Sequence, residues 1–150
     1  MQAKPRGAQT HDVRSESKVK QTANARFAIK GWDEKPYSEG EGQPKLTKAT
    51  VTKAYTGDLE GEGHVEYLMV YRADQTATYV GIERVVGRLG GKAGSFVLER
   101  TGVFEDGQAK ESYTVIAGSG TGALQGLRGE GTSSVGHGME HPFVLSYELA

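Results

Sequence analysis

Glu83 and Arg84 are the residues of this chain whose setting most suggests chemistry, because both stand in mid-strand among apolar neighbours (Tyr79-Val-Gly-Ile-Glu83-Arg84-Val-Val86). Side chains alternate along a strand, so one of the two points into whatever the strand encloses. An inward Glu83, desolvated among apolar groups, has its pKa raised and serves as a general acid or base, whereas an inward Arg84 grips an acidic ligand. Tyr67, Tyr79 and Tyr113 would add phenolic hydroxyls to the same interior. Tyr67, Tyr79, Glu83 and Arg84 are therefore the candidate ligand-contacting group, with Glu83 the candidate catalytic residue. The plainer reading of these residues is packing for the tyrosines and a buried cross-strand ion pair of the charges with Glu66, Glu99 or Arg100.

Other motifs are weaker. His137-Gly-Met-Glu140-His141 matches the H-x-x-E-H zinc-protease spacing, which needs a helix to bring both imidazoles to one metal. Gly136, Gly138 and Pro142 disrupt such a helix, so the segment reads as a hairpin loop and no metal is expected. Gly118-x-Gly120-x-x-Ala123 satisfies the looser dinucleotide pattern, but Gly126, Gly129 and Gly131 argue against the helix that would receive a pyrophosphate. No Gly in the chain is followed by the Lys-Ser or Lys-Thr pair of a phosphate-cradling Walker loop, so no nucleotide or other cofactor is expected. Ser119 lacks a His with a partnering acid placed to activate it.

The elements that must position these groups are strands. A pattern Gly-x-Leu-x-Gly occurs at Gly57 to Gly61, Gly87 to Gly91 and Gly122 to Gly126, each time between two strand-like runs. Each copy reads as a strand-corner-strand junction whose Leu points back into the core. From Lys18 to Lys30 one face carries Val19, Ala23, Ala25, Phe27 and Ile29 and the other is polar. Trp32 to Pro36 is expected to break that strand, with a loop running on to Pro44, and Trp32 either lines a cavity or packs at the strand's exit.

Leu46 to Tyr55 places Thr47, Ala49, Val51 and Tyr55 on one side. In Gly63 to Tyr71 and Thr76 to Val86 both faces carry apolar side chains: Val65, Tyr67, Met69 and Tyr71 against Leu68 and Val70, then Tyr79 and Val85 against Val80, Ile82 and Val86. Two apolar faces imply two burials, one inside a barrel and one against another subunit, so a homo-oligomer is expected. Further strands over Gly94 to Gly102, Lys110 to Ala117, Leu127 to Val135 and Phe143 to Leu149 bring the count to roughly eight, enough to close an all-β antiparallel barrel.

Composition bounds the rest. One domain over 18–150 follows a polar tail over 1–17. The net charge is −1, although residues 1–30 carry +5 and leave −6 for the remainder. A solvated basic arm on an acidic body gives no overall case for nucleic acid. The absence of cysteine, of an apolar leader and of any long apolar run predicts a cytoplasmic protein with no membrane partner.

The segments Phe27 to Trp32, Lys45 to Gly61 (K-L-T-K-A-T-V-T-K-A-Y-T-G-D-L-E-G), Tyr79 to Leu98 and Val115 to Gly131 (with G-S-G-T-G-x-L-x-G-L-x-G) resemble a family of small bacterial proteins known as domain of unknown function 3224. The resemblance implies an eight-stranded barrel of the allene oxide cyclase-like type. Relatives of that fold confine an unstable epoxide during ring closure or steer phenolic coupling, but no cyclase motif carries over to residues of this chain, and a fold is not a function. Two expectations follow. The barrel holds a small apolar or amphipathic molecule, as a binding protein or as a cyclase or isomerase; alternatively it is filled solid and serves as a structural or protein-interaction module without a ligand.

Overall fold

In the computed structural model, residues 19–136 and 140–149 are described, residue 135 by its backbone alone. The tail expected over 1–17, and His137 of the zinc-like motif, lie outside them. The chain forms β1 (Gln21–Ser38), β2 (Lys45–Gly57), β3 (Leu59–Tyr71), β4 (Ala77–Leu89), β5 (Lys92–Glu105), β6 (Gln108–Val115), a two-residue β7 (Thr121–Gly122), β8 (Arg128–Val135) and β9 (Glu140–Glu148). Each long strand pairs antiparallel with the next, β6 with β8, and β9 returns to β1, so that eight strands close a barrel. Among the described residues no helix is long and apolar enough to cross a membrane.

All three Gly-x-Leu-x-Gly segments are corners, between β2 and β3, β4 and β5, and β7 and β8. Leu59, Leu89 and Leu124 are buried as their spacing suggests. At the first corner Gly57 has a φ of 106°, which only glycine adopts without strain.

The expected break at Trp32 is not there. β1 continues to Ser38, and Ile29 pairs with Lys53 while Gly31 pairs with Thr52, leaving a bulge at Lys30. A bulge adds one residue to one strand and so exchanges its faces. Phe27 faces inward before the bulge, and Trp32 and Glu34 stand opposite the inward-facing Val51 and Ala49 after it. Pro36 is tolerated because β9 pairs with β1 only from Gln21 to Ala28, which leaves the far edge of β1 unpartnered there.

The interior is divided in two. At one end Leu59, Leu89, Phe96, Leu124, Leu127 and Phe143 belong to a solidly packed core, plugged by the corner after β7. At the other, Ala49, Val51, Val65, Tyr67, Met69 and Tyr79 form a second cluster. The buried charged residues Lys53, Glu83 and Arg100 join the two.

Candidate functional site

Above this charged layer the barrel is hollow. An open-mouthed cavity of about 1100 Å3 is walled by Phe27, Trp32, Tyr67, Met69, Tyr71 and Tyr79, with Lys53, Glu111 and His141 also contributing to its lining. The walls are apolar and aromatic with a small number of polar groups, the usual composition of a small-molecule site.

Glu83 organises the layer beneath. Its carboxylate accepts hydrogen bonds from Arg100 Nε at 2.5 Å, from Tyr55 Oη at 2.7 Å and from Lys53 Nζ at 3.4 Å. Arg100 also donates to Glu111 at 2.9 Å and to Tyr55 Oη at 2.9 Å, and its guanidinium lies 5.0 Å from the ring centre of Tyr113. Lys53 completes the layer, donating to Tyr67 Oη at 3.1 Å with its ammonium 4.3 Å from the ring centre of Phe27. Two cations thus balance two carboxylates inside the barrel. Gly63 makes the arrangement sterically feasible, because a Cβ there would collide with the Glu83 carboxylate.

The charges respond to burial differently. Desolvation alone would raise the Glu83 pKa, but Arg100, Lys53 and the hydrogen bonds from Tyr55 and Arg100 outweigh it and hold the carboxyl below its usual value. The elevated pKa expected from an apolar lumen is therefore reversed, since the lumen supplies two cations at this depth. For Lys53 burial and the neighbouring Arg100 prevail over the attraction of Glu83 and Glu111, and its pKa falls from 10.5 to about 8. His141, stacked on Phe27 with ring centres 5.0 Å apart, is likewise pushed down by burial and by Lys53.

At the mouth Glu34 does for the rim what Glu83 does for the floor. It accepts hydrogen bonds from Trp32 Nε1 at 2.9 Å, Thr47 Oγ1 at 2.7 Å and Tyr71 Oη at 2.6 Å. Burial would raise this carboxyl too, yet those hydrogen bonds keep it below its usual value. Trp32, 49% exposed, is turned so that its indole stacks near Tyr67 at 6.4 Å between centres. Of its two expected roles, cavity lining is the one observed.

The residues singled out from the sequence part company. Tyr67 and Tyr79 line the hollow, and Glu83 faces inward but lies behind Lys53 and Tyr67, fully buried. Arg84 is on the outer, exposed face, as alternation demands once Glu83 is inside. Tyr113 is deeper, its hydroxyl bound to the backbone of Val144. Arg100 proves to be the cross-strand partner of Glu83, while Glu66 is occupied outside the barrel with Thr50 and His64.

Of the zinc-like motif, Glu140 and His141 open a strand instead of lying on a helix, and no cluster of three or more metal-binding side chains occurs among the described residues. Ser119 is engaged with the backbone of Val97.

The family model described as protein of unknown function (DUF3224) matches residues 23–147. The chain belongs to the DUF3224 family. It is similar to a crystal structure of a DUF3224 protein of unknown function from Shewanella oneidensis MR-1, with 29% identity and a TM-score of 0.71 over 88% of this chain and 99% of that one. Comparison with curated proteins gives no match. The matched DUF3224 segment contains every residue of the charged layer and of the aromatic wall named above, so the candidate site lies wholly within the family domain.

Lys53 is the member of the site that the sequence reading passed over. It has the same parity in β2 as Thr47, Ala49, Val51 and Tyr55 and is 3% exposed. A lysine on the inward face of an otherwise apolar strand was itself the available signal, because lysine is almost never buried unless paired.

Proposed function

We propose that this protein binds a small, mainly apolar molecule with an uncharged oxygen head group in the open half of the barrel. The observation that carries this reading is the hollow of about 1100 Å3 above a charge-balanced floor. A filled barrel acting only through its exterior would have no space above roughly 300 Å3, the lower end for ligand pockets. Within the floor Lys53 and Arg100 offset Glu83 and Glu111, so a charged head group seated on that layer would meet no net counter-charge there and would lose its hydration, the cations Lys45 and Arg72 lining the hollow outside the layer. A carbonyl or hydroxyl head finds hydrogen-bonding partners in Lys53, Tyr67 and Tyr79 while its apolar body contacts Met69 and the aromatic walls.

The same geometry favours carriage over turnover by Glu83. That carboxylate is held ionised by three donors and separated from the hollow, so any cyclase or isomerase activity would rest on confinement and on Lys53, Tyr67 or Tyr79.

The sole tryptophan, Trp32, supplies the test. Titration with 2-decanone should change Trp32 emission saturably, and decanoate at equal concentration should bind at least tenfold more weakly. Equal binding of the two, or no saturable response to either, would overturn the reading.

Self-association is supported by a separate observation. Leu68, Val80, Ile82 and Val86 stand 47–55% exposed on the outer face of β3 and β4. Leu68 is directly paired with Val80, which makes the patch continuous across the strands. Exposed apolar patches of this kind commonly mark contact surfaces, and the occupant proposed is a second copy of this chain.

A further inference from the structure

Among the described residues, Lys53 is the one amine that combines burial, a cavity and nearby proton-handling groups. Lys53 lines the hollow, and its Nζ has two hydrogen-bond partners, Tyr67 Oη at 3.1 Å and Glu83 Oε1 at 3.4 Å, for three donors. The first distance is at the long end for N–H···O bonds and the second is beyond it, so neither partner holds the nitrogen tightly. We infer that Lys53 is a nucleophilic site at which an aldehyde or ketone occupying the hollow is captured as an imine. The inference rests on the proposed function and specifies the head group as a carbonyl.

The chemistry balances without an oxidant or reductant. After the ammonium gives one proton to solvent, the Nζ lone pair attacks the carbonyl carbon and the C=O π electrons move onto oxygen. A proton passes from nitrogen to that oxygen, with the Tyr67 hydroxyl placed to relay it, giving a carbinolamine. Its hydroxyl, protonated from solvent, departs as water while the nitrogen lone pair forms the C=N bond. Ammonium plus carbonyl thus becomes iminium plus water. The positive charge stays at Nζ beside Glu83, and the charge balance of the floor is preserved.

The groups facing Lys53 fit this role. Tyr67 comes from β3, Glu83 from β4, Arg100 from β5, Glu111 from β6 and His141 from β9. Arg100 and burial favour the free amine, while Glu83 and Glu111 favour the ammonium and, after reaction, the iminium. With its pKa near 8 instead of 10.5, about one fifth of Lys53 is free amine at pH 7.4, against about one part in a thousand for an ordinary lysine. Lysines desolvated beside another cation are the recurrent solution for imine chemistry.

The experiment treats the full chain with trans-cinnamaldehyde and sodium cyanoborohydride at pH 7.4, follows Trp32 emission in parallel, and maps the reduced adduct by peptide mass spectrometry. Lys53 should be labelled at least tenfold faster than any of the other nine lysines. Lys53→Arg should remove that fast adduct while leaving the slow labelling of the other lysines unchanged. If the emission change saturates and label spreads over exposed lysines with Lys53 spared, the inference fails and the binding reading stands. If neither the emission change nor Lys53 labelling occurs, both fail.

Discussion

Replacing Glu83 by Gln tests the charged layer directly. The substitution is nearly isosteric, so the cavity term is negligible and the effect is electrostatic. It removes the anion that accepts from Arg100, Tyr55 and Lys53 in a fully buried position. Breaking a buried pair by removing one partner costs about 3–5 kcal/mol. The lower figure applies here for two reasons. Arg100 keeps Glu111 at 2.9 Å, and Lys53, already lowered to about 8, can shed its proton when its partner is lost.

The expected loss is therefore about 3 kcal/mol, or roughly 10 °C in Tm for a chain of this length. Thermal and urea unfolding followed by circular dichroism would read it. Lys53→Met should behave oppositely. At pH 7 a lysine that titrates near 8 in the folded state and 10.5 unfolded costs about 3 kcal/mol, and Glu83 retains Arg100 and Tyr55, so this variant should be neutral or stabilising. In the double variant the Glu83→Gln cost should shrink by about 1–2 kcal/mol, the coupling expected of neighbours in one network. A loss below about 1 kcal/mol for Glu83→Gln, with a native spectrum, would refute the view that this carboxylate ties the layer together.

Stability should rise by about 2 kcal/mol between pH 7.5 and 9.5, because the unfolded Lys53 keeps its proton up to 10.5 while the folded one loses it near 8. Urea midpoints across that range check it, and Lys53→Met should flatten the rise. Above about pH 10 the trend should reverse, since burial raises Tyr55, Tyr67 and Tyr79 and the unfolded tyrosines ionise first. In acid the Glu83 contribution, present above about pH 4.5, is lost as pH falls through its depressed folded pKa. Gly81→Ala would set a Cβ 2.5 Å from Tyr67 Cδ1, so calorimetry should show a loss of about 1–3 kcal/mol and Trp32 emission should change as Tyr67 is displaced. Ile82→Glu on the exposed apolar row should lower the mass seen by light scattering to that of a monomer without altering Tm by more than a few degrees; an unchanged oligomer would remove that face from consideration.

Much of the scaffold was legible because strand alternation is a local rule. It put Tyr67 with Met69 on one face of β3 and Tyr79 with Glu83 on one face of β4, leaving open which face is the inner one, and it gave the three corner leucines, without any knowledge of which strands pair. Beyond the bulge at Lys30 the same rule misleads. One unpaired residue exchanges the faces of β1, and the contribution of Glu34 to the rim follows from partners 13 and 37 residues away.

The ionisation of Glu83 was illegible for a related reason. Its donors lie 17, 28 and 30 residues distant, on β5 and β2, so burial could be read from the sequence while the compensating cations could not. Lys53 shows the converse. Its parity was plain, since it shares the face of Thr47, Ala49, Val51 and Tyr55 in β2. The hollow itself depends on how far β1 runs past the end of β9, which is set by register between strands over a hundred residues apart.

The open half of the barrel is proposed as a ligand site. Native mass spectrometry of the protein, purified gently from its own host, tests it most directly. A reproducible adduct of a few hundred daltons is expected, lost on denaturation, or retained after borohydride reduction when held through Lys53. A bare polypeptide mass at every preparation, together with no saturable Trp32 response to neutral amphiphiles, would contradict it.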